Sequence, residues 1–292
     1  MDLICVGDVM LDVRVDAGQL ARGGDVHGKV VLQPGGTSAN AAVWAASSGA
    51  SARVHAKVGR DLQGRLLRTE LEGRRVEAAL VEDPDAPTGT MLIVHEAGER
   101  SMVADRGANA RLHPSDLPER LDAGAVLVSG YLLLQDGARD AGIEAIRRAN
   151  TSWVAVEAAS WPLVDDVRPE GFHELAAGAT AVLANEREAR SLTGLEPDEA
   201  VKVLGERYRL AGVKVGAEGA VIVLDGAVYR STPEAIDEVD PTGAGDAFDG
   251  VLLAWLARDA DPAEALRAAC GAGAAVAASP TVWPEADPGG AR

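Results

Sequence analysis

A chain of 292 residues, 47% of them hydrophobic, buries a sizeable core, and its length suits one large α/β unit as readily as two small ones. With 45 acidic against 28 basic residues it carries a formal net charge of −17, a surface that repels nucleic-acid backbones and anionic membranes alike. Small-molecule partners are therefore expected, and an anionic ligand would need local help from helix N-termini or a metal. The two cysteines, Cys5 and Cys270, lie at opposite ends, one in an apolar strand pattern and one in an Ala/Gly-rich helix. They make neither a disulfide framework nor a metal pair, which predicts a reducing, cytoplasmic setting. The opening MDLICVGDVM has no basic leader, and no apolar run reaches membrane-spanning length without interruption, so no membrane anchor is expected.

In chain order, short β-branched runs alternate with amphipathic segments of helical period. LICVG at 3–7 predicts a strand, Ser38 to Ser48 a helix, ARVHAKVG at 52–59 a strand, and Asp61 to Glu72 a second helix. AVLVSG (125–130), SWVAVE (152–157), TAVLAN (180–185), VKVG (213–216) and AVIVL (220–224) continue as strands, with a helix near 138–149. Strand and helix in turn mean a mostly parallel sheet covered on both faces. Residues 12–33 and 88–105 break the rhythm. They alternate as extended pairs, the second a hairpin turning at Glu96 to Glu99, and are expected to combine into a small sheet projecting as a lid from one domain over 1–292. The run from Ala268 to Pro284 reads as a packed helix and a loop, and the closing EADPGGAR as a frayed tail.

DPTGAGDAF, residues 240–248, carries the chemistry. Gly243, Ala244 and Gly245 let backbone approach a ligand, and AFDGVLLAWLA then runs with helical period, so the N–H groups of 243–246 point outward at the positive end of a helix dipole. That is an anion hole. Asp246 beside it repels bound phosphate unless it has a task, such as taking a proton from a hydroxyl while the N–H groups hold charge developing on a transferring phosphoryl group. Taken alone, a helix start with an acid in its first turn explains these residues equally well. In PGGTSANAAVWAASSGA at 34–50, Gly35 and Gly36 give bare backbone before a helix, and Asn40 can donate and accept, which suits a polyol. A glycine turn with Asn40 near the N-cap is the plainer alternative.

Together these two stretches resemble the C-terminal and N-terminal signatures of the ribokinase-like (PfkB) family of carbohydrate kinases. VGRDLQG at 58–64, RGANARL at 106–112, NEREA at 185–189 and VKVGAEGA at 213–220 are weaker matches in family order, and the resemblance runs from residue 1 to about 284. It implies a three-layer α/β/α fold with a small β-sheet lid, and an ATP-dependent kinase acting on a hydroxyl of a sugar of the ribose, fructose or 2-keto-3-deoxygluconate type. Asp246 is then the base and Gly243, Ala244 and Gly245 the anion hole. The sugar is expected at Asp12, Gly35, Gly36 and Asn40, with Tyr131 and Gln135 near it and Arg106 reaching a carboxylate if the sugar is an acid. ATP is expected at Asn185, Glu188, Lys214, Gly216, Gly219 and Thr242, with Mg²⁺ held through water by Asn185 and Glu188. Asp240 matches the position where many relatives bind a monovalent cation, K⁺, although AAVAASPTVWP near the C-terminal end departs from the commoner pattern there. Glu157-Ala158-Ala159 departs from an Asp-x-Asn that relatives often carry. Some relatives pair as homodimers through their lids.

Plainer roles stand beside several of these. Asp12 also reads as a solvated loop acid, Asn185 with Glu188 as a helix cap, and Arg106 as one half of a surface ion pair with Asp105 or another acid. A nucleoside kinase of the same fold and a non-catalytic sugar or nucleotide sensor are the competing functions. No G-x-x-x-x-G-K-[ST] occurs, and no G-x-G-x-x-G follows the first strand. The five histidines show no metal-ligand spacing, and nothing resembles a Ser-His-Asp site.

Overall fold

The computed structural model describes residues 1–21, 23–96 and 99–286. Ala97 and Gly98 of the expected hairpin turn, Arg22 and residues 287–292 of the expected tail lie outside the described residues. The chain begins with β1 (Leu3–Val6), β2 (Met10–Asp16), β3 (Lys29–Gly35), α1 (Thr37–Ser47), β4 (Ala52–Gly59), α2 (Leu62–Gly73) and β5 (Val76–Asp83). There follow β6 (Thr90–Glu96), β7 (Glu99–Asp105), β8 (Ala125–Ser129), α3 (Gly130–Leu134), α4 (Arg139–Arg148), β9 (Trp153–Glu157), α5 (Trp161–Leu175), β10 (Ala181–Asn185) and α6 (Glu186–Thr193). The last elements are α7 (Pro197–Arg207), β11 (Leu210–Lys214), β12 (Ala220–Leu224), β13 (Ala227–Ser231), α8 (Ala244–Leu256) and α9 (Pro262–Ala277).

A nine-stranded sheet in the order β13-β12-β11-β10-β9-β8-β1-β4-β5 forms the centre, parallel except where β12 pairs with β11 and β13. β1 shows why it is covered on both sides. Leu3 and Cys5 point into a core shared with α1, α2, α8 and α9, while Ile4 and Val6 point into a second core with α4, α5, α6 and α7. These are the three layers that alternating strands and helices demand. Because β1, β8, β9, β10 and β11 run parallel, their carboxyl ends open on one side, and there they present Asp8, Tyr131, Glu157, Asn185 and Lys214 in turn. Ligands of open α/β sheets bind at that edge.

The small sheet has the order β3-β2-β6-β7. It is mixed: β2 pairs antiparallel with β3 but parallel with β6, because β6 arrives after the β4–β5 excursion rather than by a hairpin. Period-two alternation divides its faces. Asp12, Arg14, Gln33 and Ile93 face the large sheet's ligand edge, whereas Val30, Leu32, Leu92 and Val103 are exposed on the other side. Among the described residues no helix is long and apolar enough to cross a membrane.

Candidate active site

The loop expected to hold an anion starts at Gly243, which turns the chain at φ 84° into α8. Ala244, expected among its open donors, is not one. The N–H of Ala244 is taken by the Pro241 carbonyl at 3.1 Å, closing a turn, while the amides of Gly243, Gly245 and Asp246 meet no acceptor among the described residues. The open donors are therefore Gly243, Gly245 and Asp246 itself, at the dipole's positive end.

Asp246 reaches Asn40 because two helices touch backbone to backbone. A Cβ on Gly250 would lie 2.1 Å from the Ala41 carbonyl oxygen, so only glycine lets α8 approach α1 this closely. Across that contact Asn40 donates Nδ2 to Asp246 Oδ2 at 2.7 Å, and its Oδ1 accepts the Trp283 indole N–H at 2.7 Å. Trp283 thereby fixes the amide's orientation. Burial pushes the Asp246 carboxyl up to about 7, the Asn40 bond holds it back, and Asp249 adds to the rise. The carboxyl is thus poised near neutrality, the range in which such a group can exchange a proton.

Lys214 comes from the end of β11 and lies against Gly245, its Nζ 3.3 Å from where a Cβ would stand. Asp249, three residues after Asp246 and so on the same face of α8, grips it with both oxygens at 2.9 and 2.8 Å. Burial opposes the ammonium charge, but Asp249 and Glu188 outweigh it and raise the Lys214 pKa above its ordinary value. Glu188 and Asn185 cap α6 reciprocally: the Asn185 N–H donates to Glu188 Oε2 at 2.8 Å and Asn185 Nδ2 to Oε1 at 2.6 Å. The cap does not exclude a ligand role, since each Glu188 oxygen retains a lone pair for a metal-bound water. Glu157, at the end of β9, accepts from the Ala159 N–H at 2.5 Å and holds Ala159 at φ 61°. Burial and then Glu188 push its carboxyl well above the usual range.

Asn185, Glu188, Lys214, Gly216 and Gly219 line a cavity of about 710 Å³ that reaches Gly245 and Asp246. Ile236, Cys270 and Ala274 give it apolar wall. Thr242, expected there too, is not among the lining residues, although Pro241 and Ala244 on either side of the 242–243 turn are; its amide and hydroxyl donate to Asp240 Oδ1 at 2.9 and 2.6 Å. Asp240 is also ion-paired with Arg14 of the small sheet.

On the other side of Asp246 stand the residues expected to meet the sugar. Asp12 is buried, not a solvated acid, and burial lifts its carboxyl to about 7 against the pull of Arg14. Gly35 makes room for it, for a Cβ there would come within 2.4 Å of its carboxylate. Gly36 crosses the Asp8 carbonyl just as closely, at 2.5 Å from a would-be Cβ. Arg106 pairs with Asp8, not with Asp105, and stacks 3.8 Å over the Tyr131 ring. Asn109 joins it in tying down the segment after β1, bonding the Val9 N–H at 3.2 Å and carbonyl at 2.9 Å. Gln135 ends α3 half-buried and makes no hydrogen bond to these groups among the described residues.

Asp8, Arg14, Asp249 and Trp283 escaped the sequence reading. Asp249 was within reach of it, at i+3 from Asp246, and so was Arg14, at i+2 from Asp12 on a strand. Nothing local marked Asp8 or Trp283.

Comparison with known proteins adds to this geometry. A sequence model of the family described as pfkB family carbohydrate kinase matches residues 1–283. A 2-dehydro-3-deoxygluconokinase from Thermoproteus tenax is 32% identical over 258 residues, 82% of this chain and 78% of that one. A ribokinase from Mus musculus is also 32% identical, over 269 residues that make up 87% of this chain and 81% of its own. The crystal structure of adenosine kinase from Sinorhizobium meliloti superposes with a TM-score of 0.86, covering 97% of this chain and 95% of its own, at 24% identity, a likeness of fold.

Proposed function

This chain belongs to the pfkB family of carbohydrate kinases and is an ATP-dependent sugar kinase; we propose that Asp246 is its base and that α8 holds the phosphoryl group in transfer. The observation that carries the reading is the position of Asp246, between the 710 Å³ cavity on one side and Asn40, with the buried Asp12 beyond it, on the other. Asp246 accepts the proton of an acceptor hydroxyl. The freed oxygen attacks the γ-phosphorus of ATP, the bond from phosphorus to the bridging oxygen breaks, and ADP leaves with that electron pair. The amides of Gly243, Gly245 and Asp246 meet the charge that develops, and Lys214, fixed by Asp249, adds its own.

Carboxylates outnumber cations around the cavity, so a tetra-anionic nucleotide needs a partner that the side chains do not supply. The donor set of Asn185 and Glu188 suits Mg²⁺ held through water, which would neutralise phosphate charge there. A monovalent cation at Asp240 would share that carboxylate with Arg14. On the acceptor side, Arg106 is already neutralised by Asp8, which favours a neutral sugar over a sugar acid. We also infer a homodimer through the exposed apolar face of the small sheet, with Val30, Leu32, Leu92 and Val103 at its centre. The small sheet then acts as the lid that keeps water from the activated phosphate.

The test is an ADP-release screen with Mg-ATP against neutral sugars, sugar acids, sugar phosphates and nucleosides, with Asp246→Asn as the blank. Turnover of a neutral sugar well above the blank is expected. Silence across the panel from folded, ATP-binding protein would overturn the reading.

A further inference from the structure

Arg14 has no place in the chemistry so far, yet it occupies a decisive position. Two residues beyond Asp12 on β2, it lies on the inward face of the small sheet, and its guanidinium sits against Asp240 with only 11% and 7% of the two side chains exposed. Its Nη1 also donates to the Pro280 carbonyl at 3.0 Å, and Gln33 of the neighbouring β3 donates Nε2 to the same oxygen at 3.1 Å. Asp240 in turn receives Thr242 on its other oxygen, one residue before Gly243. A continuous line of charge and hydrogen bonds therefore runs from the small sheet through Asp240 and Thr242 to the anion loop. The His95 ring, from β6, lies 3.7 Å from the same carboxylate.

A carboxylate this buried needs a countercharge close by. An ion from the medium serves only as long as it is bound, whereas a side-chain cation is present in every molecule. We propose that Arg14 is a positioning residue, a built-in counter-cation of Asp240, which holds the 240–246 loop from the small sheet and frees phosphoryl transfer from any need for a monovalent metal ion. As far as turnover is concerned, this rests on the kinase reading above. The holding of the loop does not.

The experiment compares wild type, Arg14→Ala and Arg14→Lys in potassium and in tetramethylammonium chloride at equal ionic strength. Wild-type kcat should agree within about twofold between the salts. In tetramethylammonium, Arg14→Ala should lose about a hundredfold in kcat, the loss that a displacement of about 1 Å brings, with the acceptor KM changed far less. Potassium or added guanidinium should restore about tenfold of it, and Arg14→Lys should keep most of the wild-type rate. Thermal melting of the same proteins needs no turnover: Arg14→Ala should melt lower than wild type, and potassium should raise its midpoint but not that of wild type. Wild type activated severalfold by potassium overturns the proposal. So does Arg14→Ala with wild-type kcat and melting, and so does a loss that neither cation nor lysine repairs, which would mark Arg14 as packing. If wild type turns over no acceptor at all, the kinase reading fails, and the melting comparison still decides whether Asp240 depends on Arg14.

Discussion

Replacing Asp246 by Asn should disable the enzyme and stabilise the protein, and the two effects have one cause. Burial first, with Asp249 adding to it, lifts the Asp246 carboxyl from its ordinary 3.8 to about 7. The native state thus keeps a proton that the unfolded chain gives up from about pH 4 onward, and the stability contributed by that proton is present at low pH and lost as pH rises through 7. At about 1.36 kcal/mol per pH unit, ionised Asp246 costs the folded protein about 4 kcal/mol above pH 7. Between pH 5, where the carboxyl is still protonated, and pH 8, where it is not, the cost grows by about 2 to 3 kcal/mol. The amide introduced by Asp246→Asn would escape it while still accepting the Asn40 bond through its own oxygen. Chemical unfolding of both proteins at the two pH values should therefore show a gap in favour of the variant that widens by about 2 to 3 kcal/mol at pH 8. Its kcat should fall by about a hundredfold or more, and nucleotide binding should hold. A gap independent of pH, or a variant with near wild-type turnover, would refute the reasoning.

Asn40→Ala removes the bond that holds the Asp246 pKa down, so the acid limb of the kcat profile should move to higher pH, and the acceptor KM should rise far more than the KM for ATP; equal rises would make Asn40 a structural residue. The stranded Trp283 indole N–H adds a stability loss of about 1 to 3 kcal/mol, measurable in urea. Lys214→Met leaves Asp249 buried without its partner and should cost about 3 to 5 kcal/mol. Adding Asp249→Leu should recover stability but not the KM for ATP, and recovery of both would deny Lys214 a phosphate role. Gly250→Val would drive a side chain into the Ala41 carbonyl and part α8 from α1, lowering kcat/KM by about a hundredfold; wild-type kinetics would mean that the helix contact does not set Asn40.

What the sequence revealed depended on how local each feature is. β1, β8, β9, β10 and β12 are short apolar runs because both faces are buried, and they were legible at once. β5 was not, since it is the edge of the large sheet and carries exposed acids among its apolar positions. α5 was hidden by its prolines: Pro162 sits in its first turn, where proline is tolerated, and Pro169 follows a kink where Arg168 stands at φ 64°. Gly243 to Asp246 lie within one turn of helix, so DPTGAGDAF showed the loop and its carboxylate together, but not that the Ala244 N–H is taken by the Pro241 carbonyl. Asn40 meets Trp283 across 243 positions and Arg14 meets Pro280 across 266, and no window of sequence contains such a pair.

The same distinction explains how a chain of net charge −17 can handle a polyanion. Three cations near the site are each held by a carboxylate: Lys214 by Asp249, Arg106 by Asp8, and Arg14 by Asp240. Such pairs add little net field, so on the reading proposed above most of the phosphate charge would fall to the helix N-terminus and a divalent ion, with Lys214 assisting. What the pairs do provide is fixity. An unpaired lysine or arginine would carry about 2 kcal/mol of rotamer entropy and would have to reorganise as charge moves in the transition state. A paired one is already in place. The partner carboxylates should therefore matter to rate as much as the cations they hold, and local composition alone would have dismissed Asp8 and Asp249 as surface acids of an acidic protein.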